Sequence, residues 1–220
     1  YTKDIVKMCK ELTVGDISAH QIEFNKSKMK ELSLFEKIKK FCVLDVLDMG
    51  IFEDSSFDCI VCIGGVINYL LDKEKDGINE MLRVLKPGGT LIVGAMSFIG
   101  ASLYYLDGIR YEKDQFGIEA TKWLFNTGIQ DEEHYPVPSK HYVHMMRSSE
   151  MDALFADFPI TIKERSSAGL FTQAGDSALE NARQDKEFWK LIIEKEIAFT
   201  KMQGTLDCGM NIIYVLEKNN

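Results

Sequence analysis

The chain has 220 residues, 45% of them hydrophobic, and a formal net charge of −8. That length suits one α/β domain with an insertion, and that apolar content suffices for a full core. An acidic chain without a Lys/Arg stripe interleaved with aromatics argues against nucleic acid as a partner, and no apolar run approaches the roughly 18 residues of a membrane span.

Residues 2–10 (TKDIVKMCK) predict a helix, with Thr2 as N-cap and Ile5, Val6 and Cys9 on one face. Leu12–Val14 follows as a short strand. Ser18, with Gln21 three residues on, has the form of a capping box and opens a second helix whose buried stripe is Ile22, Met29 and Leu32. Phe41–Val46 is the next strand. Phe57–Ile63 (FDCIVCI) is nearly all apolar, which predicts a strand covered on both faces in a parallel central sheet. Residues 73–86 form an amphipathic helix with Ile78, Met81, Leu82 and Leu85 at helical spacing, ended by Pro87-Gly88-Gly89. Thr90–Ala95 is another buried strand. This alternation implies an α/β fold with a doubly wound, mostly parallel sheet.

Residues 97–147 break the rhythm, with many aromatics and no regular period. A stretch of that length between elements predicts a functional cap. The expected core is therefore 1–96 with 148–220, and the cap 97–147. Beyond it, Ser149–Phe158 reads as a helix, Ile160–Arg165 as a strand, 176–201 as one long helix, and Met210–Leu216 as a last, antiparallel strand. Five cysteines are an odd number, read as free thiols in a reducing compartment; with no visible signal peptide, this predicts a cytoplasmic protein.

Residues 41–94 carry an acidic residue after a strand (Asp45), Phe57-Asp58 opening an apolar strand, and a helix ending Leu82-Arg83-Val84-Leu85-Lys86-Pro87-Gly88-Gly89 before another strand. Upstream, Val14-Gly15-Asp16-Ile17-Ser18 has an acid at a strand end. In these features residues 11–95 resemble the class I, Rossmann-like S-adenosylmethionine-dependent methyltransferases. A carboxylate ending the second strand can accept hydrogen bonds from both ribose hydroxyls, and Asp16, followed by Ile17, stands there; a turn or helix-capping Asp is the other reading. The resemblance further implies that Asp45 meets the adenine amino group and the Val46 backbone a ring nitrogen, with Asp48 on the same loop as a competitor. It also implies that Ile63 and Gly64 face the methionine part of the cofactor; a flexible Gly64-Gly65 strand exit is the alternative.

The family's glycine-rich loop stands roughly 20 residues ahead of the ribose acid, whereas 15 residues precede Asp16 here and none of residues 1–14 forms a Gly-x-Gly run. The expectation is a preceding segment carrying the loop and a first strand; the alternative is a relative that lacks the motif. Cys59-x-x-Cys62 has the spacing of a redox or zinc pair, but positions three apart on a strand point to opposite faces, so structural thiols and no metal site are expected. His134, Tyr135, His141, Tyr142 and His144 read either as a lid supplying a base or acceptor contacts, or as a loop of partly exposed rings. Phe98, Tyr104, Tyr105, Trp123 and Phe125 would wall an acceptor pocket or pack the cap. Asn68-Tyr69 is not the Asn/Asp-Pro-Pro-Tyr signature of enzymes that methylate planar amino groups.

The expected activity is methyl transfer from S-adenosylmethionine to a small-molecule acceptor beneath the cap. Its leaving group is a neutral thioether, so alignment and water exclusion carry the reaction and no residue is singled out as catalytic. The rivals are an NAD-dependent Rossmann oxidoreductase and a non-catalytic relative acting through protein contacts. Oligomeric state is left open.

Overall fold

The structure, a computed structural model, describes residues 1–138, 141–202 and 204–220. They divide into two units, Tyr1–Glu53 and Asp54–Asn220.

The first unit runs α1 (Thr2–Ile5), β1 (Leu12–Asp16), α2 (Ala19–Glu31) and β2 (Ile38–Val43). Its centre is Val6, Met29 and Ile38, with Leu12, Val14, Phe35 and Phe41 packed around them. The Ser18 side chain caps α2 as expected, accepting from the Gln21 backbone N–H at 3.3 Å. Ile22 and Met29 are buried, but Leu32 is 41% exposed because the helix has already ended at Glu31. The helix expected over 2–10 stops at Ile5, where the chain tightens into i→i−3 turns, Lys7 N–H to Asp4 O and Met8 N–H to Ile5 O. β2 begins and ends three residues before the expected strand. Its parallel register with β1 sets it, Leu12 opposite Ile38 and Asp16 opposite Val43, while Lys39 and Lys40 turn to solvent.

The second unit opens with β3 (Phe57–Cys62), α3 (Glu74–Val84) and β4 (Leu85–Met96). Three helices follow: α4 (Phe98–Tyr104), α5 (Leu106–Phe116) and α6 (Ile118–Thr127). A two-residue hairpin pairs β5 (Ile129–Gln130) with β6 (Val143–His144). The remainder is α7 (Ser148–Phe155), β7 (Ile160–Ala168), α8 (Asp176–Gln184), α9 (Lys186–Phe199) and β8 (Asn211–Lys218). Its main sheet has the order β3-β4-β8-β7. β3 and β4 are parallel, and β8 lies antiparallel between β4 and β7, as expected for the last strand. Leu91, Val93 and Ala95 of β4 and Ile212, Tyr214 and Leu216 of β8 are fully buried, the period-two signature of a face turned to the core.

Four expectations change here. β3 is not covered on both faces: Asp58 and Cys59 are exposed while Cys62 is buried, so the Cys-x-x-Cys thiols do diverge. α3 buries Ile78, Met81, Leu82 and Val84 but ends at Val84, ahead of Pro87-Gly88-Gly89. Lys218 Nζ, reaching from β8, donates to the Leu82 and Leu85 carbonyls at 2.7 and 2.8 Å and satisfies that helix end. Residues 176–201 are two helices because Asp185 takes an extended conformation and caps α9, accepting from the Glu187 and Phe188 N–H groups. Residues 97–147 hold regular helices after all. They share a core of Ala101, Ile109, Ala120, Leu124, Tyr135 and Met145.

No helix among the described residues is long and apolar enough to cross a membrane. No disulfide joins the cysteines, and no group of three or more His, Cys, Asp or Glu among the described residues could hold a metal ion.

Candidate functional site

In the first unit the parallel register brings Asp16, the last residue of β1, and Asp45, two residues beyond β2, to the same end of the strand pair. Both are exposed. Asp16 Oδ1 accepts from the Ser18 N–H at 2.8 Å, and Asp45 Oδ1 from the Leu47 N–H at 2.9 Å. Each carboxylate is thus held by its own turn through one oxygen. Ile17 is 69% exposed, and Val46 is partly buried. Asp48 is committed in the same way, accepting from the Gly50 N–H at 3.2 Å.

In the second unit Ile63 and Gly64 lie immediately past the carboxyl end of β3. Gly64 and Gly65 both have left-handed backbones, φ +89° and +83°, which only glycine adopts without strain. A Cβ at Gly64 would meet nothing within 4 Å, so the backbone there borders open space. A Cβ at Gly65 would approach Tyr69 at 3.6 Å, Asn68 at 3.7 Å and Met96 at 3.9 Å. Asn68 is fully buried. It accepts from the Met96 N–H at 2.8 Å through Oδ1, and its Nδ2 donates to the His144 carbonyl at 2.6 Å and the Met96 carbonyl at 3.3 Å. Its amide therefore ties the end of β4 to the β6 hairpin strand.

Tyr69 and Met96 also belong to the wall of a cavity of about 250 Å³ within this unit. Liquid water in that volume would amount to roughly eight molecules, so the space suits a small ligand. Three of its lining residues, Ile109, Leu124 and Met145, are also members of the helical core. Gly108, Ile109 and Glu112 reach it from one face of α5, and Tyr105, the N-cap residue of that helix, joins them. Gln130 from β5 and His141 from the following loop complete its polar lining. Burial raises the Glu112 carboxyl above its ordinary value, while a 2.7 Å hydrogen bond from Gln130 Nε2 pulls it the other way. Burial also raises the Tyr69 hydroxyl, with Tyr105 adding to the shift.

The histidines expected as one cluster separate into three settings. His141 alone lines the cavity, its ring against Tyr69 with centroids 4.7 Å apart. His134 stacks on Trp123 at 4.3 Å and pairs with Asp131 at 2.8 Å. His144 lies 3.2 Å from Glu74 and 3.9 Å from Glu150. Tyr135 is buried and donates to the Ala120 carbonyl; burial, Glu112 and Asp131 push its hydroxyl up to about 12. Of the five rings read as pocket wall or packing, Tyr105 lines the cavity, while Phe98 packs against the helical core. Glu112 and Gln130 were missed by the sequence reading. Glu112 follows Ile109 by three residues and Tyr105 by seven, but that spacing has meaning only once the face turned to the cavity is known.

Residues 1–93 match the family model described as a methyltransferase domain. The chain is 34% identical over 83 residues to a ubiquinone/menaquinone biosynthesis C-methyltransferase of Haemophilus ducreyi, covering 38% of this chain and 30% of that one. It is 38% identical over 84 residues to a demethylmenaquinone methyltransferase of Bacteroides fragilis, covering 38% and 32%. The chain thus spans about a third of the length of the curated relatives it matches. Among solved structures, a SAM-dependent methyltransferase from Methanosarcina mazei aligns with TM-score 0.58 at 20% identity, over 99% of this chain and 86% of that one. An S-adenosylmethionine-dependent methyltransferase from Clostridium acetobutylicum aligns with TM-score 0.56 at 13% identity, over 100% and 79%. The [4+2]-cyclase SpnF aligns with TM-score 0.54 at 15% identity, over 95% and 66%.

Proposed function

We propose that this chain is a class I Rossmann-like methyltransferase that transfers the methyl group of S-adenosylmethionine to a small molecule held in the 250 Å³ cavity, a reading supported by its family match and fold. The observation that carries the acceptor assignment is local to the second unit. The resemblance places the methionine end of the cofactor at Ile63 and Gly64, and the next residue, Gly65, lies beside Tyr69 and Met96, which are themselves cavity wall. A methyl donor at that strand exit would stand beside whatever the cavity holds, and alignment of donor and acceptor is the larger part of this chemistry.

The residues present fit the cofactor in each unit. In the first, Asp16 and Asp45 are exposed at strand ends with one oxygen fixed by a turn, which suits them to take ribose hydroxyls and the adenine amino group; Ile17 and Val46 supply the adjoining backbone. In the second, Ile63 and the Cβ-free Gly64 border open space and would flank the methionine part. Residues 97–147 act as the cap over the acceptor. Thiols without disulfides suit a reducing, cytoplasmic setting.

The printed names of the curated relatives suggest a second reading of the acceptor, a quinone ring carbon. The family match ends at residue 93, however, ahead of Met96 and every cavity residue that follows it, so it bears on the cofactor half and leaves the acceptor to the cap. Calorimetry of the full-length protein with S-adenosylmethionine and with NAD tests the assignment. Binding of the former alone is expected. NAD binding without S-adenosylmethionine binding would mean an oxidoreductase, and binding of neither would mean a non-catalytic relative.

A further inference from the structure

Five charged residues lie on α5: Asp107, Arg110, Glu112, Lys113 and Asp114. Four of them do not line the cavity, and Lys113 and Asp114 pair with each other. Glu112 is the exception. It shares its helix face with Ile109, which is buried, and it is the one carboxylate in the cavity wall. Its hydrogen-bond partner is a neutral amide, Gln130, and among the described residues no Lys or Arg pairs with it. A partly buried carboxylate without a counter-charge is costly unless a cation or strong donor completes it. Three further rings line the same space. Tyr69 and His141 lie against each other, and Tyr105 stands at the N-terminal end of the face that carries Glu112. Aromatic faces attract cations as well, through the ring quadrupole. Gly108, between Tyr105 and Glu112 on that face, keeps the space open, since a Cβ there would meet nothing within 4 Å.

We propose that the cavity binds a small amine, held as its ammonium against the Glu112 carboxylate among the Tyr69, Tyr105 and His141 rings. The raised carboxyl of Glu112 is the expected state of such a site before its cation arrives. Naming that amine as the methyl acceptor rests on the methyl-transfer reading; its binding does not.

The test is calorimetric titration of the chain, with no methyl donor present, by small primary amines from propylamine to phenethylamine, each paired with its isosteric alcohol. The wild type is expected to bind the best amine at least tenfold more tightly than the matching alcohol. Glu112→Gln keeps the shape and the Gln130 contact and should abolish that preference, weakening the amine by roughly one to two orders of magnitude, the scale of a lost charged hydrogen bond. Gly108→Leu fills the open space from a helical position and should block amine and alcohol alike, with a melting temperature at or above that of wild type. Equal affinity for amine and alcohol, a preference that survives Glu112→Gln, or no binding of either probe would each overturn the proposal. Failure to bind S-adenosylmethionine in a separate titration would sink the methyl-transfer reading and leave this result standing.

Discussion

Asn68→Ala removes a side chain that joins the end of β4 to the β6 hairpin strand through three hydrogen bonds at 2.6, 2.8 and 3.3 Å. The Met96 carbonyl keeps a second donor, the Met146 N–H at 2.9 Å, so its loss is modest. The Met96 N–H has no such reserve in the contacts described and would be left part-buried and unpaired. An orphaned buried donor costs about 1–3 kcal/mol and each further bond about 1 kcal/mol, giving about 2–5 kcal/mol in all. Asn68→Asp is nearly isosteric but replaces the donating amide by an oxygen facing two carbonyl oxygens, which only the protonated acid tolerates. Burial among acceptors raises that carboxyl in the folded state, so its deficit relative to wild type should be small in acid and widen as pH rises past about 4. Urea unfolding followed by circular dichroism reads both effects as shifts in midpoint at constant slope. Hydrogen exchange at the Met96 amide should accelerate in Asn68→Ala. A loss below about 0.5 kcal/mol would refute the reasoning and mean that water or a backbone shift replaces the amide.

Asp16→Ala should weaken S-adenosylmethionine binding by about 1–3 kcal/mol, the range for a charged hydrogen-bond partner; unchanged affinity by calorimetry removes Asp16 from the cofactor site. Burial pushes the Cys62 thiol from near 9 up to about 12, so its contribution is complete below about pH 9 and drains away as pH rises to about 12. Cys62→Ala should therefore lose less stability than wild type across that window, and parallel alkaline melting curves would contradict the shift. Asp185→Ala removes the cap of α9 and should cost about 1 kcal/mol in thermal unfolding, with Asp185→Asn recovering most of it; an unchanged midpoint would show that the break between α8 and α9 needs no cap.

Much of the frame was readable because side-chain spacing and burial agree. Ile78, Met81 and Leu82 announce α3 and are all buried in it. The β2 boundary was misplaced because Phe-Cys-Val-Leu-Asp-Val looks like a strand on its own, whereas pairing with β1 selects Ile38–Val43 despite two lysines. The helices of 97–147 were hidden by exposed apolar residues, Ile99, Leu103, Leu106, Tyr111, Ile118 and Phe125, which blur the amphipathic period. Their ends were marked all the same, by Ser97 capping α4 and by Gly117 and Gly128 with positive φ. Asp16 and Asp45 could be singled out because a strand-end acid is a local pattern. Glu112 could not, since a charge on a helix has meaning only once the face turned to the cavity is known.

Ile109, Leu124 and Met145 serve the cavity and the helical core at once, whereas Tyr105, Gly108, Glu112, Gln130 and His141 line the cavity outside that core. The two groups differ in what sequence drift can do to them. Changes in the first would be purged for their effect on folding before any new ligand was tried. The second can vary at little risk to the fold, so related chains could acquire different ligands by altering five positions while their helical framework stays the same.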